Sequence, residues 1–322
     1  MHSNSHISDQ VVIITSRAEQ GDANSQCELG VLYFKGEEVR QDYSQARFWL
    51  EKAAAQDDAC AQYNLGLMYH RGLGVRQDYG QASVWYEKSA EQDDEDAQCM
   101  LGFLYLKGLG VGQDYSQARE WFGDAAAQGN EKAKNSLGLM YLKGLGVEQD
   151  YSQARVWFEE AAAQGNQNAQ YYLGTLYHKG WGVAQDYGLA RDWFEKAAAQ
   201  GNEKAQNTLG CLYEDGDGVR QDYSQARVWY EKAAAQGNQN AQYNLGVLYL
   251  KGLGVGQDYS QARDWFEKAA TQGDEDSQYN LGELYLKGLG VEQDYSQARY
   301  WYEKAAAQGH TEAQYSLKIT VQ

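Results

Sequence analysis

The side chains that could do chemistry in this chain are few and scattered. Its five histidines are His2, His6, His70, His178 and His310. His70 and His178 share a position in an internal repeat, but they stand three repeats apart, too far to serve one centre. Ser44, Ser116 and Ser152 recur at the second position of segments that read as helices. There they start a helix rather than act as nucleophiles beside a base. The Gly-Leu-Gly-Val turns, such as Gly108-Leu109-Gly110-Val111, follow a helix, whereas a phosphate-binding glycine loop precedes one. Asp215-Gly216-Asp217-Gly218 matches a calcium loop only in part: the third carboxylate position and the bidentate glutamate are missing. No S-x-x-K motif supports acyl-enzyme chemistry. The expectation is a non-catalytic protein without cofactor or metal.

Cys27, Cys60, Cys99 and Cys211 form no C-x-x-C motif, and each falls on the first helix of a repeat. They read as isolated small core or groove residues in a reducing compartment; a disulfide framework or a metal site is the competing reading.

The elements that must position any site come from a strict repetition. Tryptophan recurs at Trp49, Trp85, Trp121, Trp157, Trp193, Trp229, Trp265 and Trp301, every 36 residues, and a Leu-Gly pair keeps the same beat from Leu29-Gly30 to Leu281-Gly282. A fixed period of this length is a solenoid signature. In the unit Ala241–Asp276, Ala241, Leu245, Leu248 and Tyr249 have helical spacing. Gly252 and Gly254 end this helix A. Asp258 with Gln261 three residues on starts helix B, close to a capping box. Tyr259, Ala262, Phe266, Ala269 and Ala270 make its apolar face, with Trp265 at the edge. Gly273 closes helix B and Asp274 caps the next helix. Such a pair cannot bury its apolar faces alone, so neighbours must stack. A mid-helix glycine costs about 1 kcal/mol relative to alanine. The recurrence of Gly246 and its equivalents therefore predicts close approach of an adjacent helix.

The motif L-G-x-x-Y-x-x-G, followed by G-V-x-Q-D-Y-x-x-A-x-x-W-[YF] and A-A-x-x-G, resembles the Sel1-like repeat family, a relative of the tetratricopeptide repeats with a longer inter-helix loop. The match covers roughly residues 23–316 and recurs eight times in register. The resemblance implies an all-α fold: a right-handed α-solenoid of eight 36-residue helix-turn-helix repeats with terminal capping helices. The family usually has proline before the Q/K-D-Y; here Arg40, Arg76, Gly112, Glu148, Ala184, Arg220, Gly256 and Glu292 stand there, which predicts a looser loop.

Residues 1–22 read as a disordered lead-in (1–7) plus a capping helix with Ser8 as its N-cap, 23–310 as eight repeats, and 311–322 as a C-terminal capping helix. Repeat 1 departs from the pattern with Glu37-Glu38, as expected beside a cap, and Lys318 takes the place of the recurring glycine in the last helix. The apolar core Val11–Ile14 is too short for a secretory signal and no basic region precedes it. A cytoplasmic location is expected, with a periplasmic or secreted one the alternative if a leader is missing.

The freest positions among the copies form a second stripe on helix A. By resemblance to the tetratricopeptide groove, its members Tyr63, Leu67, His70, Phe103, Leu106, Leu139, Leu142, Tyr171, His178, Tyr243, Leu250 and Tyr279 are expected to line a concave surface. Apolar and aromatic residues that do not define the fold suit binding anchors; the competing reading is that they only pack helix A on its neighbours. Beside them runs a basic row of Lys35, Arg71, Lys107, Lys143, Lys179, Lys251 and Lys287. It is either a ladder for acidic groups of a partner or a set of cations complementing helix C-termini. Repeat 6 breaks the row with Glu214, Asp215 and Asp217, and Trp181 replaces a loop leucine in repeat 5. The net charge of −17 argues against nucleic acid, whose phosphates demand a basic surface, and no apolar run reaches a membrane span. The expected function is a monomeric scaffold or adaptor holding a protein or peptide. The alternatives are an immunity or inhibitor protein wrapping one toxin or enzyme, and an exported cell-wall or β-lactam-binding protein, a link the resemblance also implies.

Overall fold

The computed structural model describes residues 9–320, with side chains described through 318. The lead-in and its Ser8 cap lie outside the described residues. Among the described residues every regular element is an α-helix, and the chain divides into two compact units, residues 1–164 and 165–322.

The first unit contains α1 (Asp9–Glu19), α2 (Ala23–Lys35), α3 (Tyr43–Ala54), α4 (Ala59–Arg71), α5 (Tyr79–Ala90), α6 (Glu95–Lys107), α7 (Tyr115–Ala127), α8 (Glu131–Lys143) and α9 (Tyr151–Ala163). The second contains α10 (Gln167–Lys179), α11 (Tyr187–Ala199), α12 (Glu203–Asp215), α13 (Tyr223–Ala235), α14 (Gln239–Lys251), α15 (Tyr259–Thr271), α16 (Glu275–Lys287), α17 (Tyr295–Gln308) and α18 (Thr311–Thr320). Even-numbered helices from α2 to α16 are the A helices and the odd-numbered ones that follow them are the B helices. This is the expected α-solenoid architecture.

Local chemistry fixes each boundary. The A helices end on a left-handed glycine whose N–H bonds back four residues, as Gly144 does to the Met140 carbonyl. Each B helix starts on an aspartate whose carboxylate accepts from the first-turn amides; Asp150 receives the N–H groups of Ser152 and Gln153 at 2.8 and 3.0 Å. Between them the loop glutamine closes the turn. Gln77, Gln113, Gln149, Gln257 and Gln293 each donate to a last-turn carbonyl of helix A seven residues back, at 2.7–2.9 Å. The next residue's N–H bonds the helix A tyrosine carbonyl, as Asp150 does to Tyr141 at 3.0 Å. The missing proline therefore does not leave the loop untied.

The core is assembled between repeats. Ala82, Tyr86 and Ala90 of α5 pack on Ala97, Leu101 and Leu104 of α6, with Trp121 of α7 closing the cluster. The recurring glycine acts within the repeat, contrary to a role between repeats: a Cβ on Gly138 would lie 2.5 Å from the Phe158 ring of its own B helix, and one on Gly174 would lie 2.7 Å from Phe194. Lys318 stands at that position in α18 and is exposed. At the N-terminal edge Ile14 and Ala18 of α1 pack on Leu29 and Trp49.

A glutamine relay ties successive layers. Gln98, 3% exposed, donates to the Ala90 carbonyl at the end of the preceding B helix and accepts from Gln128 of its own repeat at 2.8 Å. Gln206, Gln242 and Gln278 repeat both bonds in the second unit. Repeat 4 carries Lys134 at this position and an ion pair with Glu160 at 3.1 Å instead. On the B helices a lysine lies over the recurrent tryptophan, 3.7 Å from the ring centre for Lys268 on Trp265 and 3.9 Å for Lys196 on Trp193. Asp124 and Glu160 stand at the equivalent places in repeats 3 and 4.

Candidate functional site

The stripe side chains sit where helix A meets the B helix of its own repeat. In the first unit Tyr63, Leu67, His70, Leu106, Leu139 and Leu142 are half-buried and Phe103 is exposed. In the second, Tyr171, His178, Tyr243, Leu250 and Tyr279 are half-buried. Their rings rest on the B-helix aromatic that fills the glycine notch: Tyr63 on Tyr86 at 5.8 Å, Tyr171 on Phe194 at 5.8 Å, Tyr243 on Phe266 at 6.0 Å. Each of these rings is packed on one side and keeps part of its surface accessible, and Tyr279 is also stacked on His310 at 4.6 Å. Three smaller stripe residues, Cys27, Cys99 and Asn135, are buried, whereas Thr175, Asn207 and Cys211 are half-buried.

Electrostatics differ between repeats. His70 lies against Tyr79 at 5.2 Å and Phe103 at 6.3 Å, and its Nδ1 is buried without a partner among the described residues. Burial first, and the neighbouring Arg71 second, lower its pKa. Burial and the Asp96 and Asp94 carboxylates push the Tyr63 hydroxyl up to about 12. In the second unit two acidic residues enter the stripe. Glu214 accepts from the Tyr230 hydroxyl at 2.6 Å, and Glu283 from Tyr302 at 2.6 Å while pairing with Lys287. Burial raises the Glu283 pKa, but the Lys287 and Tyr302 hydrogen bonds outweigh it and hold the group below the ordinary carboxylate value. The acidic residues of repeat 6 are therefore partly satisfied internally: Asp217 also lies 3.5 Å from His178.

The basic row is exposed throughout: Lys35, Arg71, Lys107, Lys143, Lys179, Lys251 and Lys287 all face solvent. Lys35 and Lys287 have acidic neighbours in Glu37 and Glu283, whereas Arg71, Lys107, Lys143, Lys179 and Lys251 form no ion pair among the described residues. Trp181 is 39% exposed in its loop.

Two features escaped sequence reasoning. A cleft of about 500 Å³ is lined by Arg191, Tyr213, Val219, Arg220, Gln221 and Asp222, and one of about 470 Å³ repeats it at Arg119, Tyr141, Val147, Glu148, Gln149 and Asp150. Tyr141 and Tyr213 thus line the loop side, apart from the stripe tyrosines. The second feature corrects the cysteine reading. Cys27 and Cys60 are not isolated: their sulfurs lie 2.8 Å apart, with Asp58 beside them. The pair joins the stripe position of one repeat to the first turn of the next A helix, a separation of 33 residues that no motif marks.

The Sel1 repeat family model matches eight segments, at residues 23–58, 61–94, 95–130, 132–166, 167–202, 203–238, 239–274 and 275–310. The chain belongs to the Sel1-repeat family. No curated protein matches it. Among solved structures, it is similar to a Sel1-repeat protein of Oxalobacter formigenes, at 33% identity and TM-score 0.74, with 99% of this chain and 95% of that one covered. It is also similar to a protein of uropathogenic Escherichia coli strains described as a protective antigen with this repeat fold, at 42% identity and TM-score 0.78 over 95% of this chain. This chain spans 66% of that protein's length. These Sel1 repeats form the scaffold on which the stripe and the basic row are displayed. No helix among the described residues is long and apolar enough to cross a membrane.

Proposed function

We propose that this Sel1-repeat chain is a non-catalytic scaffold or adaptor that holds a partner protein or peptide against the helix A stripe. The observation that carries the reading is a division of labour among positions. The notch glycine, the loop glutamine and the capping aspartate are consumed by contacts inside the repeat, and the B-helix tryptophan by the core between repeats. The stripe positions vary in side chain from copy to copy, and their aromatic and leucine members stay half-buried or exposed. Aromatic side chains already held on one face lose little rotamer freedom on binding, which favours them as anchors. The unpaired cations Arg71, Lys107, Lys143, Lys179 and Lys251 stand one residue past the stripe. On a chain of net charge −17 they are the attachment points for acidic side chains or a terminal carboxylate of the partner. The proposal includes a cytoplasmic, monomeric protein.

Reversing Lys107, Lys143 and Lys179 together to glutamate tests the ladder. Partner affinity should fall at least about tenfold at low salt, and its salt dependence should flatten, with helical content unchanged. An affinity and salt slope equal to the parent's would reduce the row to helix-terminal cations.

A further inference from the structure

The cysteine pair at the N-terminal end of the first unit has the parts of a reactive dithiol. Cys60, at the start of α4, is exposed, whereas Cys27, on α2, is 4% exposed. The Cys27 thiol donates to the Cys60 sulfur at 2.8 Å, and the Asn64 side-chain amide donates to the same sulfur at 3.5 Å. Cys60 is therefore the accessible sulfur whose anion is stabilised, and Cys27 is the shielded one behind it. The equivalent positions in later repeats hold Tyr63 with Asp96, Cys99 with Lys132, Tyr243 with Asp276 and Tyr279 with Glu312. Sulfur meets sulfur only in the first register.

We propose that Cys60 and Cys27 form a thiol–disulfide exchange site that takes a low-molecular-weight disulfide of the glutathione class and closes a covalent clasp between α2 and α4. The Cys60 thiolate attacks one sulfur of the small disulfide, that S–S bond breaks, and one small thiolate leaves and takes a proton. Cys27 then loses its proton to solvent, and its sulfur attacks Cys60 Sγ. The mixed disulfide breaks and releases the second small thiol. Two protein thiols are oxidised and one small disulfide is reduced to two thiols, so atoms and electrons balance.

The division of roles agrees with the ionisation of the two groups. The hydrogen bond from Cys27 lowers the Cys60 pKa, outweighing burial and the Asp58 and Asp94 charges, while that same bond and burial raise Cys27. An exposed thiol of lowered pKa with a resolving thiol beside it is the arrangement that exchanges fastest. The competing occupant is a zinc ion held by Cys27, Cys60 and Asp58, whose ligand atoms lie within 4.8 Å of one another. Asp58 already spends one oxygen on the Ala61 N–H at 2.8 Å. Tetrahedral zinc with 2.3 Å bonds would also need the sulfurs about 1 Å further apart, whereas a disulfide needs them about 0.8 Å closer.

The test uses the full chain. The reduced protein is treated with glutathione disulfide, and the products are read by intact mass, thiol titration and peptide mapping. Free thiols should fall from four to two, with Cys27 and Cys60 in one linked peptide pair and no retained glutathione. Cys60 should react at least about tenfold faster than Cys99 and Cys211, whose thiols burial raises. Cys27→Ser should stop at a stable glutathione adduct on Cys60, and Cys60→Ser should leave Cys27 unmodified. A persistent adduct on the parent chain, four intact thiols, or stoichiometric zinc retained through these residues and blocking exchange would each overturn the proposal.

Discussion

Gly138→Ala isolates the packing logic of the repeat. The added Cβ would sit 2.5 Å from Cε1, 2.6 Å from Cδ1 and 3.0 Å from Cζ of Phe158. Phe158 is fully buried, so its ring cannot swing into solvent and the two helices must part. Overpacking of this kind costs about 1–3 kcal/mol. Against it stands the gain of about 1 kcal/mol from replacing a helical glycine by alanine. The net expectation is a loss of about 1 kcal/mol. Gly123 on α7 supplies the control, since a Cβ there meets nothing within 4 Å. Gly123→Ala takes the propensity gain alone and should stabilise by about 1 kcal/mol. The difference between the two variants is then the overpacking term itself. Urea unfolding followed by far-ultraviolet circular dichroism reads both as midpoint shifts at constant slope. Removing the ring completes the cycle. Phe158→Ala should cost about 3–5 kcal/mol, and in that background Gly138→Ala should turn from destabilising to stabilising. A Gly138→Ala chain as stable as Gly123→Ala would refute the notch account.

Asp57 and Asp93 hold left-handed φ values of 60° and 62° where later repeats have glycine. Asp57→Gly and Asp93→Gly should each raise stability by about 0.5–1 kcal/mol, checked by thermal and urea midpoints. Gln98→Leu removes the bonds to the Ala90 carbonyl and the Gln128 amide; the carbonyl keeps the Asp93 N–H and Gln128 turns to solvent, so calorimetry should show a loss of about 0.5–1.5 kcal/mol. His70 has its pKa lowered below its ordinary 6.5 by burial first and Arg71 second. The unfolded chain then binds this proton more tightly, so the contribution is complete above the ordinary value and is lost as pH falls through the folded one. The melting temperature should drop between about pH 7.5 and about pH 5.5. His70→Phe should shrink that drop, and an identical drop would contradict the assignment.

Much of the fold was readable because the boundaries are local. Gly144 ends a helix by its own φ, and Asp150 starts one through amides two and three residues away; neither needs a distant partner. The identity of partners across helices was not readable. Gly138 announced close approach, but the ring it accommodates belongs to the same repeat and not to the next. Gln98 is polar near a helix start and reads as solvated, yet it is buried between two B-helix ends. The stripe was legible as variable, half-apolar helix A positions, whereas the Cys27–Cys60 contact was not, because it crosses registers between repeats.

The central claim is that the helix A stripe receives a partner protein. Its most direct test is affinity capture from the native organism, comparing the intact chain with one carrying Tyr63→Ala, Tyr171→Ala and Tyr243→Ala. Both baits must first be matched for helical content, and the captured proteins are then quantified by mass spectrometry. The account predicts a partner held by the intact chain and lost from the altered one. Equal retention of the same partners by both baits would contradict it and turn attention to the loop clefts at Arg119 and Arg191.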